Sequence, residues 1–193
     1  FYRLLAACII TLPLAATHSA FARPFHHPFG ELREYHKHWL AVCPDKFNPG
    51  SRSDYKTTCW ASTFTGNPDG TMNGAFPGYR LSVSRHRKTG KLAITFVSDG
   101  MESIDQTRPI KLQFSNWTIL QFKYGTEVTP NRNSGNEYIF TDPAQTLDLV
   151  KRMKAANHVI IRFPLKQGER DMQFSTIGLR NALRFTEKYA SPN

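Results

Sequence analysis

Much of what would announce an enzyme is missing from this chain. No Gly-x-Ser-x-Gly elbow surrounds Ser98 or Ser175, which removes the usual setting of a serine nucleophile. No His-Glu-x-x-His framework stands behind the histidines. Gly66, Gly70 and Gly74 sit in a loop with no helix after them, so they do not build a phosphate cradle. Cysteine is scarce, three in 193 residues, and none belongs to a CxxC pair, which argues against a zinc knuckle. Lysine and arginine outnumber the acids, 25 to 15, yet no run of them is long enough to be a polyanion tail. Asp99, Glu102 and Asp105 come nearest to a pair of catalytic carboxylates, and a polar loop holds such acids by default. Neither enzymatic activity nor a cofactor is expected.

What the chain does have is a leader. Residues 4–16 form an almost unbroken apolar run entered by Arg3. Ala20-Phe21-Ala22 then supplies the small-x-small pattern of signal-peptidase cleavage, with polar Arg23 following. Residues 1–22 are therefore expected to be a secretory signal peptide. Pro13 inside the run speaks against a buried N-terminal helix. An uncleaved anchor is the alternative, since residues 4–22 would make about 28 Å of helix, near the thickness of a bilayer core. Leu5-Ala6-Ala7-Cys8 also fits a lipoprotein box, but the apolar core continues past Cys8 where such a box would end it.

Export decides the cysteine chemistry. Cys8 belongs to the leader, leaving Cys43 and Cys59 as an even pair in an oxidising compartment, expected to staple the polar segment between them. Closing a loop of that size stabilises by about 3 kcal/mol. Removing the leader takes one arginine and no acid, so the formal charge of +10 falls to about +9. In a nucleus or cytoplasm that balance would argue for nucleic acid. In a periplasm it points instead to an anionic envelope component or an acidic envelope protein. Arg80, Arg85, Arg87, Lys88 and Lys91 form the densest basic cluster and the candidate interaction surface, although a solvated hairpin turn would carry the same residues.

Residues 23–38 are rich in proline and histidine and weakly patterned, and read as an arm leading into one β-rich domain over residues 39–190. Alternation predicts strands at 39–43, 59–64, 79–85 and 91–97, the last two joined by a turn at 86–90. Further strands are expected at 110–114, 117–123 and 137–140, with Ser115-Asn116 as a tight turn. Residues 66–78 and 124–135 read as loops. Trp39, Trp60 and Trp117 each fall in a predicted strand and read as core rather than as sugar-stacking platforms.

The last third changes character. Asp142 or Thr141 caps a helix with Pro143 in its first position, running to about residue 157 with Leu147, Val150 and Met153 or Lys154 on one face. A strand at 158–163 and a short one at 171–174 follow. Ser175 is expected to cap a final helix through about residue 189 that buries Leu179, Ala182, Leu183 and Thr186. The fold class is thus α+β and β-rich, an antiparallel β-sandwich-like core with two helices in the C-terminal third.

Metal binding would have to use the arm. His26, His27, His36 and His38 place four imidazoles within thirteen residues, and His36 and His38 would share a face of a strand. A solvated arm is the simpler reading, so no metal is assigned.

The blocks at 39–43, 59–64 and 80–97, and above all the tail, resemble the invasion-associated locus B family of bacterial periplasmic proteins. In the tail an Asp-Pro-capped helix carrying Met153, Lys154, Ala155 and Ala156 leads into Val159-Ile160-Ile161-Arg162-Phe163. Phe174-Ser175-Thr176-Ile177-Gly178-Leu179 then opens a helix with an Ala182-Leu183 face. Periplasmic accessory proteins of type VI secretion carry a similar ending. The family often has a second cysteine pair in mid-domain, which this chain lacks. The resemblance implies a secreted β-sandwich-like domain, without catalytic residues, acting at the cell envelope or in host contact. The expectation is a non-enzymatic periplasmic or secreted binding or assembly protein. Two alternatives stay open: an accessory subunit anchored to the inner membrane by residues 1–22, and a metal-binding envelope protein using the arm histidines.

Overall fold

A computed structural model describes residues 23–46, 48, 54–65, 79–97, 104–130 and 137–190. The leader, the loop at 66–78, Ser98, Asp99 and Glu102 lie outside the described residues. Among the described residues twelve strands form two antiparallel sheets. The large sheet contains β1 (Phe25–His27), β2 (Glu31–His36), β3 (Trp39–Pro44), β4 (Thr58–Phe64), β5 (Arg80–His86), β6 (Leu92–Val97), β9 (Val128–Pro130) and β10 (Glu137–Phe140), in the order β1-β2-β3-β4-β5-β6-β10-β9. The small sheet is β12 (Glu169–Ser175), β11 (His158–Pro164), β7 (Ile110–Phe114) and β8 (Ile119–Phe122), in that order. One turn of helix, α1 (Asp54–Thr57), precedes β4. The helices α2 (Pro143–Ala155) and α3 (Leu179–Ala190) come late, as expected.

The small sheet shows most plainly why these residues form strands. Ile110, Leu112 and Phe114 of β7 and Val159, Ile161 and Phe163 of β11 alternate inward and are buried. Their outward neighbours pair as ions, Lys111 with Glu169 at 3.1 Å and Arg162 with Asp171 at 2.6 Å. Asp171 holds the Arg162 guanidinium above its ordinary pKa. The two sheets meet through aromatic rings, Phe96 on Phe163 at 4.8 Å and Phe122 on Phe140 at 5.0 Å. Helix α3 covers β2 to β5, and α2 packs on β6 and β10, so one continuous core joins all layers.

The disulfide forms between neighbouring strands. Cys43 and Cys59 stand opposite each other in the β3–β4 register, with Cα atoms 4.3 Å apart and both residues buried. That spacing is the one antiparallel strands give at non-hydrogen-bonded positions.

Several expectations need correction. Residues 23–38 do not stand outside the domain as an arm: β1 and β2 extend the large sheet, with His36 opposite Trp39 and Phe25 opposite Arg33. Proline and glycine there mark the turn at residues 28–30 rather than an unstructured arm, and Gly30 takes φ 76°. The loop at 124–135 contains β9. On α2 the buried set is Thr146, Leu149, Val150 and Met153, and Leu147 points out, 59% exposed. The spacing 147–150–153 drifts off a 3.6-residue repeat, whereas 146, 149, 150 and 153 hold it.

Helix α3 starts later than expected. Ser175 ends β12, and the Gly178 carbonyl accepts the Ala182 N–H at 3.0 Å to open the helix. Gly178 has φ 100°, and a Cβ there would meet the His36 carbonyl oxygen at 1.8 Å. Only glycine allows the β2–β3 turn to seat on the start of α3. The cap at Asp142 is as expected, its Oδ1 accepting the Ala144 N–H at 2.8 Å.

Candidate functional site

The hairpin of β5 and β6 does not present its five cations together. Arg80 lies at the far end of β5 from the turn, roughly 17 Å from Arg85 at strand spacing, and faces Glu137 at 3.6 Å. Arg87 turns inward: its Nη1 donates to the Pro44 carbonyl at 2.9 Å and its backbone N–H to Thr57 at 2.8 Å. Burial lowers its pKa. It ties the hairpin tip to the segment beyond the disulfide. Arg85, Lys88 and Lys91 remain at the turn, with both lysines exposed.

The four histidines do not converge either. His26 on β1 pairs with Asp45 at 3.1 Å, and His27 packs edge-on against Phe29 at 4.7 Å. His36 is at the other end of β2, 3.7 Å from Glu34. Among the described residues no three His, Cys, Asp or Glu side chains gather as metal ligands would.

His38 does meet Ser175, its Nδ1 lying 2.6 Å from the serine Oγ. That oxygen also accepts the Ile177 N–H at 3.2 Å, and the Trp39 Nε1–H donates to the Ser175 carbonyl at 2.9 Å. The set of bonds latches the β2–β3 turn to the approach of α3. Among the described residues no carboxylate orients the imidazole as a nucleophile's base would require. Asp105 is held below the usual carboxylate range, chiefly by the Thr107 hydroxyl and N–H and further by Arg108. It stays ionised and pins its own loop.

The feature missed by pattern reasoning is Trp117. It lies not in a strand but in the β7–β8 turn, 81% exposed, with φ 65°. The Trp117 N–H donates to the Phe114 carbonyl at 2.9 Å, and the Phe114 N–H to the Thr118 carbonyl at 3.0 Å. This is a three-residue hairpin loop whose last position is left-handed, a place that favours glycine. A bulky residue there costs on the order of 1 kcal/mol. The turn is also anchored from outside. Ser115 donates its N–H to the His158 carbonyl at 3.2 Å, its Oγ accepts the Asn157 N–H at 3.0 Å, and Asn116 Oδ1 accepts the Thr118 N–H at 3.2 Å. The one clue in the sequence was the Ser-Asn pair immediately before the indole, which places Trp117 on the turn rather than beyond it.

Beside this turn lies a cavity of about 230 Å³, lined by Phe114, Asn116 and Thr118 from the hairpin and by Asp148, Lys151, Arg152 and Ala155 from the outer face of α2. Asp148 and Arg152 are joined across one helical turn at 2.6 Å. Lys151 makes no ion pair among the described residues. The cavity is lined chiefly by apolar surface, with polar groups from Asn116, Thr118, Asp148, Lys151 and Arg152 at its walls, and the Trp117 indole is not part of the lining. Comparison with known protein families, curated proteins and solved structures finds no match to the chain.

Proposed function

We propose that this is an exported, non-enzymatic binding or assembly domain of the bacterial cell envelope, meeting an acidic envelope protein or an anionic envelope component. The observation that carries the reading is the Trp117 corner. A turn bonded on both flanks leaves the Trp117 indole in solvent, and the residues on either side of it, Asn116 and Thr118, line a cavity against the outer face of α2. Export is supported by the leader pattern at residues 1–22 and by the buried Cys43–Cys59 bond, which suits an oxidising compartment. The basic balance of the chain, +10 overall, favours an anionic partner. Kinship with the invasion-associated locus B family is part of the proposal, supported by the resemblance of the strands and tail.

An accessory subunit anchored through residues 1–22 is the second reading, favoured by the length of that apolar run. No helix among the described residues is long and apolar enough to cross a membrane; in this reading the anchor is the leader. Gentle recovery of the native protein from the envelope tests both. An acidic component retained on the protein supports the proposal, and the bare protein with both thiols reduced in the cytosol overturns it. Intact mass then separates the readings: a start at Arg23 means a cleaved, unanchored domain, a start near Phe1 an anchored one.

A further inference from the structure

We infer that one end of the molecule, where the β7–β8 turn, the β2–β3 turn and the start of α3 gather around the C-terminal end of α2, is a docking face for an anionic phospholipid bilayer. The inference rests on the envelope-binding reading above and gives that reading a site and a partner class.

Hydrogen bonds bring these segments together. The Ser115 Oγ, in the β7–β8 turn, accepts the Asn157 N–H at 3.0 Å, and the Asn157 carbonyl accepts the Thr176 N–H at 3.0 Å. The Arg180 Nη2 donates to the Lys154 carbonyl at 3.1 Å. The β2–β3 turn joins through His38, 2.6 Å from the Ser175 Oγ, and through its close seat on Gly178.

These segments expose apolar side chains and cations without acids. Trp117 is 81% exposed and Ile177 40%. Lys37, Lys151, Lys154 and Arg180 are exposed too, and none of them makes an ion pair among the described residues. Residues 37–38, 115–118, 151–158 and 175–181 contain no aspartate or glutamate. Asp148, one turn earlier on α2, is taken by Arg152 at 2.6 Å. Away from this end the small sheet is electrically mixed: Arg108, Lys111 and Arg162 pair with Asp105, Glu169 and Asp171.

Backbone strain marks the same place. Among the described residues only Lys37, at φ 55°, and Trp117, at φ 65°, take left-handed conformations without being glycine. Glycine would be less strained at both, and strain of this kind collects where a surface has work beyond folding. One of the two is a cation and the other an indole.

A bilayer surface suits that combination. Tryptophan settles at the membrane–water interface, its ring among the headgroups and its N–H still hydrated. Lysine and arginine beside it meet the lipid phosphates as diffuse attractors and need no shaped pocket. A protein partner fits less well, because lysine is depleted at protein–protein interfaces and three of these four cations are lysines. The chain's formal charge of +10 steers it toward an anionic surface.

Cosedimentation of the purified native protein with vesicles, followed in parallel by tryptophan emission, tests the inference. Mixed phosphatidylglycerol–phosphatidylcholine vesicles should bind the protein and shift its emission to the blue. Pure phosphatidylcholine should bind at least about tenfold more weakly, and added salt should weaken binding to the mixed vesicles. Trp117→Gly should lose the blue shift and at least about fivefold in affinity. Lys37→Gly and Lys154→Ala should each cost about fivefold. Both glycine variants should melt no lower than the parent, which separates lost contact from lost fold. Lys166→Ala, in the turn beyond the far end of β11, should cost less than about twofold. Equal binding to both vesicle types, full affinity in Trp117→Gly, or a loss at Lys166 as large as at Lys37 would each overturn the inference. If the parent ignores vesicles but an acidic component stays on protein recovered from the envelope, this face falls and the envelope-binding reading stands. Protein recovered bare and reduced from the cytosol sinks that reading whatever the vesicles show.

Discussion

Around Trp39, on the large sheet, the indole is buried completely, its Nε1–H donates to the Ser175 carbonyl at the end of β12, and the β2–β3 turn closes over a glycine with no room for a methyl group. Around Trp117 the small sheet does the reverse, bonding the turn firmly on both flanks and leaving the indole in water. Both regions are well fastened. They differ in where the apolar surface goes. In the first it leaves water on folding and contributes stability. In the second, the area stays in water, and the backbone strain at Trp117 counts against stability. A buried region and an exposed one therefore carry the same residue type with opposite energetic sign.

Truncation should separate the two most widely. Trp39→Ala removes a fully buried side chain and should cost roughly 3–5 kcal/mol, read as a shift in denaturant midpoint. Trp117→Ala should stay within about 0.5 kcal/mol of the parent. Similar losses for both would erase the distinction. Gly178→Ala comes next. With the His36 carbonyl in the way of a new methyl group and φ at 100°, we expect a loss of about 2–4 kcal/mol and a loosened β2–β3 turn. An unshifted midpoint would mean that the turn is free to move away from α3.

The disulfide belongs to the first region too, since β3 carries both Trp39 and Cys43. Cys43→Ala with Cys59→Ala should lower stability by about 3 kcal/mol, a Tm drop of roughly 6–12 °C for a chain of this size. The β7–β8 turn should keep its amide-exchange protection in the double variant at temperatures below the new transition. Loss of that protection together with stability would show the two regions to be coupled. Smaller and opposite in sign is Trp117→Gly. Relief of the left-handed strain should raise stability by about 1 kcal/mol, where most tryptophan replacements lower it.

The strands and late helices were legible because their signals are local: period-two alternation in β5, β6, β7 and β11, and an Asp-Pro cap on α2. The Cys43–Cys59 pair was legible by counting. What pattern reasoning missed depends on contacts made across the chain. β1 and β2 are short and broken by proline and glycine, and they become strands because β3 offers an edge to pair with. Gly178 looks like any helix-start glycine until His36, 142 residues earlier, is placed against it. Of the candidate site, only the Ser115-Asn116 turn could be read. The other wall comes from α2, and an apolar residue flanked by strand-like neighbours gives no sign of which way a turn will throw it.

The smallest expected effect again marks the Trp39 region. His36 has a side chain only 12% exposed, its ring meets Phe185 edge-on, and its Nε2 has no hydrogen-bond partner, with Glu34 3.7 Å away. Burial lowers its pKa, against the opposing pull of Glu34. In the unfolded chain the same imidazole titrates near about 6.5. As pH falls through that value the unfolded chain takes up a proton that the folded one refuses. The contribution of His36 is therefore complete above about pH 6.5 and declines below it, toward the lowered native pKa. Urea midpoints taken at about pH 7.5 and about pH 5.5 should show this decline in the parent and in Trp117→Gly, and a smaller one in His36→Gln. An unchanged decline in His36→Gln would move the pH sensitivity elsewhere, and with it the picture of a β2–β3 turn kept dry by its seat on α3.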